Sequence, residues 1–137
     1  VGRAGTLLTR IIEAMQFTRE SVYIANVVKC HPPGNRNPHD DEAAACLPYL
    51  DRQIQLLQPK VIVTLGAVPF KYLLGESGIT FKHGRWYEYK GIPVLPTFHP
   101  AFVLRFSERR RDVWEDVQKV MRRFGKDPEK SRPRKGD

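Results

Sequence analysis

Apolar residues at Leu7, Leu8, Ile11, Ile12 and Met15 recur at the i, i+3, i+4 spacing of one helix face. They predict an amphipathic helix directly after the glycine-rich turn Val1–Gly5. The rhythm changes at Ser21–Val28, where SVYIANVV forms a nearly continuous β-branched and aromatic run, the pattern of a strand buried in a parallel sheet. Lys29–Asp41 holds three Pro, one Gly and two Asn and reads as a loop at that strand's carboxyl end. A helix is expected from about Glu42 to Leu57, closed by Pro59. Lys60–Gly66 reads as a second buried strand, turning at Gly66 into a helix over Ala67–Leu74, with Pro69 tolerated in its first turn. Phe81–Tyr89 alternates aromatic and polar residues around Gly84, which predicts a short ribbon or hairpin. Ile92–Thr97 is a short strand ending in Phe98-His99-Pro100-Ala101. Val113, Val117, Val120 and Met121 line one side of a last helix over Ser107–Phe124.

Alternation of this kind predicts a layered α/β domain with a mostly parallel sheet. Ligands of such sheets gather beyond the carboxyl ends of the strands. The polar, proline-bearing loops Asn26–Pro38 and His99–Arg105 therefore border the expected cleft.

Composition sharpens this only in part. With 137 residues and 41% apolar content, the chain suits one globular domain rather than a disordered segment. No apolar run approaches the ~20 residues that span a bilayer, so no membrane association is expected, and a cytoplasmic or nucleoid-associated location is the default expectation. Twenty-three Lys and Arg against fifteen Asp and Glu give a net charge of +8, which favours a polyanionic partner. Some of that charge sits in Lys126–Asp137, expected to be a basic, disordered tail after a domain over residues 1–125. The two cysteines, Cys30 and Cys46, are either buried thiols or half of a metal site. No Gly-rich phosphate loop occurs, which disfavours an unrelated nucleotide-binding domain.

Two motifs in order make the sequence recognisable. NVVKCHPPGNRNP over Asn26–Pro38, followed by Ala44-Ala45-Cys46, resembles the middle motif of family-4, iron–sulfur uracil-DNA glycosylases. TFHPAFVLR over Thr97–Arg105 resembles their last motif, and PKVIVTLG (Pro59–Gly66) and Gly84-Arg85-Trp86 fit between them. The similarity runs from about Val1 to Val120. It implies a three-layer α/β/α sandwich with a short, mostly parallel central sheet, and an enzyme that hydrolyses the N-glycosidic bond of uracil in DNA. It also implies that Cys30 and Cys46 are two of four ligands to a [4Fe–4S] cluster. Two motifs that the family carries further upstream are absent: a Gly-Glu-Ala-Pro-Gly type loop linked to water activation, and a Cys-x-x-Cys pair. A stacking Phe would also fall before Val1. The resemblance thus implies an N-terminally truncated chain, inactive alone, whose first strand would lie between the strands near Val22 and Val61. Its own missing segment or a strand-exchanged copy would then be a partner. The rival from another class is a non-catalytic DNA-binding module of the same superfamily, attached to a replication or repair protein.

On this resemblance His99 is the catalytic candidate, because a neutral imidazole can donate to uracil O2 as negative charge gathers there. A loop-capping histidine is the bland alternative. Asn26 offers a donor and an acceptor for the N3–H and O4 edge of uracil; a turn-forming Asn is its alternative. Pro100, Ala101, Phe102, Val103, Leu104 and Arg105 are expected to face DNA. Val103 stands at the wedge position and the cations Arg105 and Arg109–Arg111 lie near phosphates, with core packing as the competing role. Arg36 and Arg85 are further DNA candidates. Asn35 equally suits a turn beside Gly34, and Lys82, His83 and Arg85 equally suit a solvated hairpin tip.

Overall fold

The computed structural model describes residues 2–25 and 40–131, with side chains over 2–25 and 45–130. Helix α1 spans Gly2–Ala14. The expected glycine turn is helical instead, and Thr6 and Thr9 donate hydroxyl hydrogen bonds to the carbonyls of Gly2 and Gly5 at 3.0 and 3.1 Å. Helix α2 covers Asp40–Leu57 and carries Pro48 within it. After it come strand β1 (Ile62–Leu65), helix α3 (Ala67–Leu74) and the one-turn helix α4 (Ile79–Lys82). Strands β2 (Tyr87–Tyr89) and β3 (Ile92–Thr97) lead into helices α5 (Pro100–Arg105) and α6 (Arg110–Arg123).

The three strands stand in the order β1-β3-β2. β1 runs parallel to β3 with Thr64 opposite Pro96, and β2 runs antiparallel to it with Tyr87 opposite Val94. Two prolines in a central strand are unusual, because each lacks a ladder donor. Here the neighbours are shorter than β3. The Pro96 carbonyl accepts from Gly84 N–H at 2.8 Å on the β2 side, beyond the end of β2. Thr97 points the other way and accepts from Gly66 N–H at 2.8 Å. By the same alternation Pro93 faces the β1 side, just before β1 begins, so neither ring displaces a ladder bond.

Pleating sends alternate side chains into two cores, and this makes three layers. Val61, Val63 and Leu95 join Met15, Phe98, Val103, Val113, Val117, Val120 and Met121 beneath α1 and α6. Ile62 and Ile92 turn to the opposite face, against Leu50 and Ile54 of α2 and Val68, Tyr72 and Leu73 of α3. Phe70 of α3, fully buried, packs edge-on against Tyr87 with ring centroids 5.4 Å apart. The apolar stripe read from the last helix is buried at all four positions.

Three expectations change. The strand over Ser21–Val28 is not formed in its described part. Arg19–Ser21 is a 3₁₀ turn capped by Thr18, and Tyr23 and Ile24 are 60% and 44% exposed. No strand among the described residues pairs with this run, and an apolar strand without a ladder partner has nothing to satisfy its backbone; residues 26–28 lie outside the described residues. The ribbon over Phe81–Tyr89 is replaced by the end of α4, a turn and β2. The hairpin lies one step later, where Lys90 and Gly91 (φ 48° and 84°) form a two-residue turn between β2 and β3. Finally, order continues past residue 125: Lys126 Nζ donates to the Gln16 carbonyl at 3.0 Å, and Gln16 Nε2 donates to the Asp127 carbonyl at 2.7 Å. A 3₁₀ turn follows at Pro128–Ser131.

Candidate active site

Parallel pairing of β1 and β3 brings their carboxyl ends side by side, and His99 emerges there. Gly66 follows β1 with φ 87° and ψ −173°, a region that only glycine occupies freely. A Cβ at Gly66 would lie 3.1 Å from His99 Cβ. The tight turn is therefore what lets the two strand ends approach.

His99 is the N-cap of α5, and Pro100 fills the first helical position, where a missing N–H costs nothing. Its Nδ1 accepts a hydrogen bond from Ala101 N–H at 3.0 Å. An accepting Nδ1 carries no proton, so the neutral ring holds its proton on Nε2. The ring is exposed by surface area, yet protein crowds it closely enough that desolvation holds its pKa below the usual histidine value.

Beneath His99 lies a buried polar network. Thr97 Oγ1 donates to Asp116 Oδ2 at 2.6 Å, and His83 Nδ1 lies 2.8 Å from the same oxygen. Asp116 is 3% exposed on α6, and burial pushes its carboxyl pKa up against the opposing pull of Thr97, His83 and Lys119. Lys119 Nζ donates to the Gly84 carbonyl at 2.6 Å. Gly84 has φ 76°, and a Cβ there would collide with Asp116 Oδ1. The network thus ties the strand leading to His99, the turn after α4 and the helix α6 into one support. Sequence reasoning missed Asp116 and Thr97. The available signal was an acid standing beside Val113, Val117 and Val120 on an otherwise apolar helix face.

The expected DNA-facing residues divide. Ala101, Phe102 and Arg105 are exposed, Leu104 is half-buried, and Arg85 is exposed on the turn before β2. Pro100 is fully buried. Val103, expected at the wedge position, is 1% exposed and packs in the core with Phe98, Val113 and Val117. The short helix α5 rests on α1, and that docking turns Val103 inward and Phe102 outward. Asn26, Cys30, Asn35 and Arg36 lie outside the described residues. Cys46 is a half-buried free thiol on α2. Among the described residues no group of three or more His, Cys, Asp or Glu is arranged to hold a metal. A [4Fe–4S] cluster takes four thiolates, and the chain has two cysteines, so its own residues do not complete that set.

Residues 1–118 match the family model of the uracil DNA glycosylase superfamily. The type-4 uracil-DNA glycosylase of Sulfurisphaera tokodaii is 47% identical over 130 residues, covering 88% of this chain and 59% of that protein. That of Thermotoga maritima is 45% identical over 125 residues, 88% of this chain and 65% of its own length. A DNA polymerase of Bacillus phage SP01 is 33% identical over 105 residues, 76% of this chain but 11% of the polymerase. The chain therefore spans about 59% to 65% of the first two glycosylases. With a family match over most of its length and identities well above 40% to two type-4 proteins, the chain belongs to the uracil DNA glycosylase superfamily.

Proposed function

We propose that this chain supplies the uracil-binding and DNA-contacting part of an enzyme that hydrolyses the N-glycosidic bond of uracil in DNA. The observation that carries the reading is the cap at His99: Ala101 N–H fixes the ring neutral and leaves Nε2–H as its outward donor, with no partner among the described residues. A glycosylase extrudes its target nucleotide from the helix stack into a pocket. As the bond from C1′ to N1 lengthens, negative charge spreads over the leaving base. A neutral Nε2–H donor aimed at O2 stabilises that charge without having to lose its proton, and preorganised donors of this type commonly supply ~10²–10³ in rate.

Asn26, following the apolar run SVYIA, is the residue whose side-chain amide matches the N3–H and O4 edge of uracil. Phe102 and Arg105 face outward beside His99 and suit contact with the distorted duplex and its phosphates. Cys30 and Cys46 would supply two thiolates to a four-cysteine cluster whose other ligands come from outside these 137 residues. The similarity to a stretch of a phage DNA polymerase supports a second reading, a DNA-binding module without excision activity. His99 separates the two. Single-turnover excision from a uracil-containing oligonucleotide by the whole enzyme should fall ~10²–10³-fold in His99→Ala. A loss below about threefold would take His99 out of the chemistry and favour the binding module.

A further inference from the structure

Four aromatic rings run from the support beneath His99 out to the surface. His83 and Phe98 have ring centroids 4.6 Å apart, Phe98 and Phe102 are stacked at 5.1 Å and 22°, and Phe102 and Phe106 lie 4.9 Å apart at 41°. The inner end is fixed. Phe98 is 3% exposed, and His83 is held by the buried Asp116. The outer end is open, with Phe102 and Phe106 37% and 38% exposed. A ladder serving only the core would bury its last rings. This one instead presents two of them next to the catalytic candidate, whose carbonyl accepts from Phe102 N–H at 3.0 Å.

Cations attend the ladder. The Arg109 guanidinium lies 5.2 Å from the Phe98 centroid and that of Arg105 lies 5.5 Å from Phe106. From residue 105 to 111 the chain carries Arg105, Arg109, Arg110 and Arg111 against the single acid Glu108. Arg109 and Arg111 pair with Asp112 and Glu115 further along α6. An apolar protein partner would meet this positive rim unfavourably, whereas a nucleic acid matches both features. Its bases offer flat π-faces to the rings and its phosphates meet the arginines.

We propose that Phe102 and Phe106 form a stacking platform for unpaired bases of single-stranded DNA flanking the nucleotide held at His99. Arg105 and Arg110 hold the backbone, and Phe98 and His83 are the rigid foot of the platform. The inference rests on the reading of the site as one that handles DNA, and it adds that unpaired strand, rather than duplex alone, is gripped there.

The test uses the 137-residue chain and two fluorescent oligodeoxynucleotides of about ten nucleotides, one with bases and one abasic throughout, at matched length and charge. Anisotropy titrations should show about tenfold tighter binding of the strand with bases, equivalent to about 1.4 kcal/mol. Phe106→Ala should erase that preference while leaving the salt dependence unchanged, and Phe106→Trp should keep it. Phe106→Leu, which retains apolar volume without a π-face, should behave as Ala does, with circular dichroism confirming the fold of each variant. Arg105→Gln should weaken both strands alike and flatten the salt slope. Equal binding of the two strands by the parent, no binding of either, or full preference in Phe106→Ala and Phe106→Leu would each overturn the platform. So would a dimer that Phe106→Ala dissolves without changing strand binding, which would assign the rings to a second copy of the chain. These affinities are independent of excision. Loss of the platform with excision by the whole enzyme intact, or the reverse, identifies which of the two readings failed.

Discussion

His99 is governed by two effects that act in the same direction. Its Nδ1 accepts from Ala101 N–H, so a proton placed there would set donor against donor, and desolvation lowers the ring's pKa from the ordinary 6.5. Because the folded pKa is depressed, the stability that the neutral ring contributes is fully present above the unfolded value. It is lost as pH falls through the folded value. Nitrogen-15 spectra of the imidazole should therefore show a titration midpoint below 6.5, with Nδ1 unprotonated above it. His99→Asn keeps an N-capping acceptor but does not titrate, and should flatten the acid limb of a thermal-stability profile. A midpoint at or above 6.5 would contradict the cap as the controlling feature. Gly66 sets the second condition at this site. Gly66→Ala forces a side chain into a backbone region closed to it and against His99 Cβ, and should cost about 1–3 kcal/mol in denaturant unfolding while shifting the His99 imidazole resonances. The place of His99 just past the end of a strand was legible in the sequence because its motif is local. The inward turn of Val103 was not, because the facing of a six-residue helix is set by what it docks on. Asp116 was hidden for a related reason: a single acid within an amphipathic helix gains its meaning only from Thr97 and His83, which arrive from elsewhere in the chain.

Elements with strong periodicity came through nearly intact. Val113, Val117, Val120 and Met121 and the strand segment Val94–Thr97 are buried as their patterns require, Val61–Leu65 is half-buried except at Thr64, and α3 occupies the expected Ala67–Leu74. Failures gather where an element depends on a remote partner. Residues 22–25 have strand-like composition but pair with no described strand, and Phe81–Tyr89 alternates convincingly although Gly78, in a left-handed conformation, starts a helical turn there. The true hairpin is set by Lys90-Gly91 and by Asp51, which joins α2 to the turn by accepting from the Tyr89 hydroxyl and pairing with Lys90 at 2.8 Å. That attachment lowers the Asp51 pKa, chiefly through Lys90, and burial followed by Asp51 pushes the Tyr89 hydroxyl up to about 12. One element end is open to improvement. Gln58 closes α2 with φ 47°, a left-handed C-terminal position that an L-residue occupies at a cost of about 1–2 kcal/mol. Glycine is free of that strain but adds entropy to the unfolded chain, so Gln58→Gly should raise unfolding stability by about 0.5–1 kcal/mol. Gln58 is exposed, which leaves the core unchanged as a confounding factor, and an unchanged or lowered denaturation midpoint would refute the strain.

At the scale of the whole molecule, the sheet and the cysteines raise one issue, an unfilled set of partners among the described residues. Among the described residues β1 is apolar yet pairs on one side only, and the buried hydroxyl of its Thr64 has no hydrogen-bond partner there. Buried donors and acceptors left so cost about 1–3 kcal/mol each. The cysteines raise the same issue in chemical form. A [4Fe–4S] cluster distributes its irons over four thiolates, and two ligands leave half of the irons open to water and chelators. The chain, which spans about 59% to 65% of two type-4 relatives, offers only Cys30 and Cys46. Reconstituted anaerobically with iron and sulfide and then separated by mass, its monomer should hold no four-iron cluster. It should show no broad cluster absorbance and release no uracil in a single-turnover assay. A dimer tests the arithmetic from the other side, because two chains pool four cysteines. If iron and sulfide co-elute with a dimer, Cys30→Ser or Cys46→Ser should abolish both the metal and the association, since every thiolate is then needed. A monomer carrying a complete cluster and excising uracil would show that two cysteines suffice, and the ligand assignment carried by the resemblance would have to be abandoned.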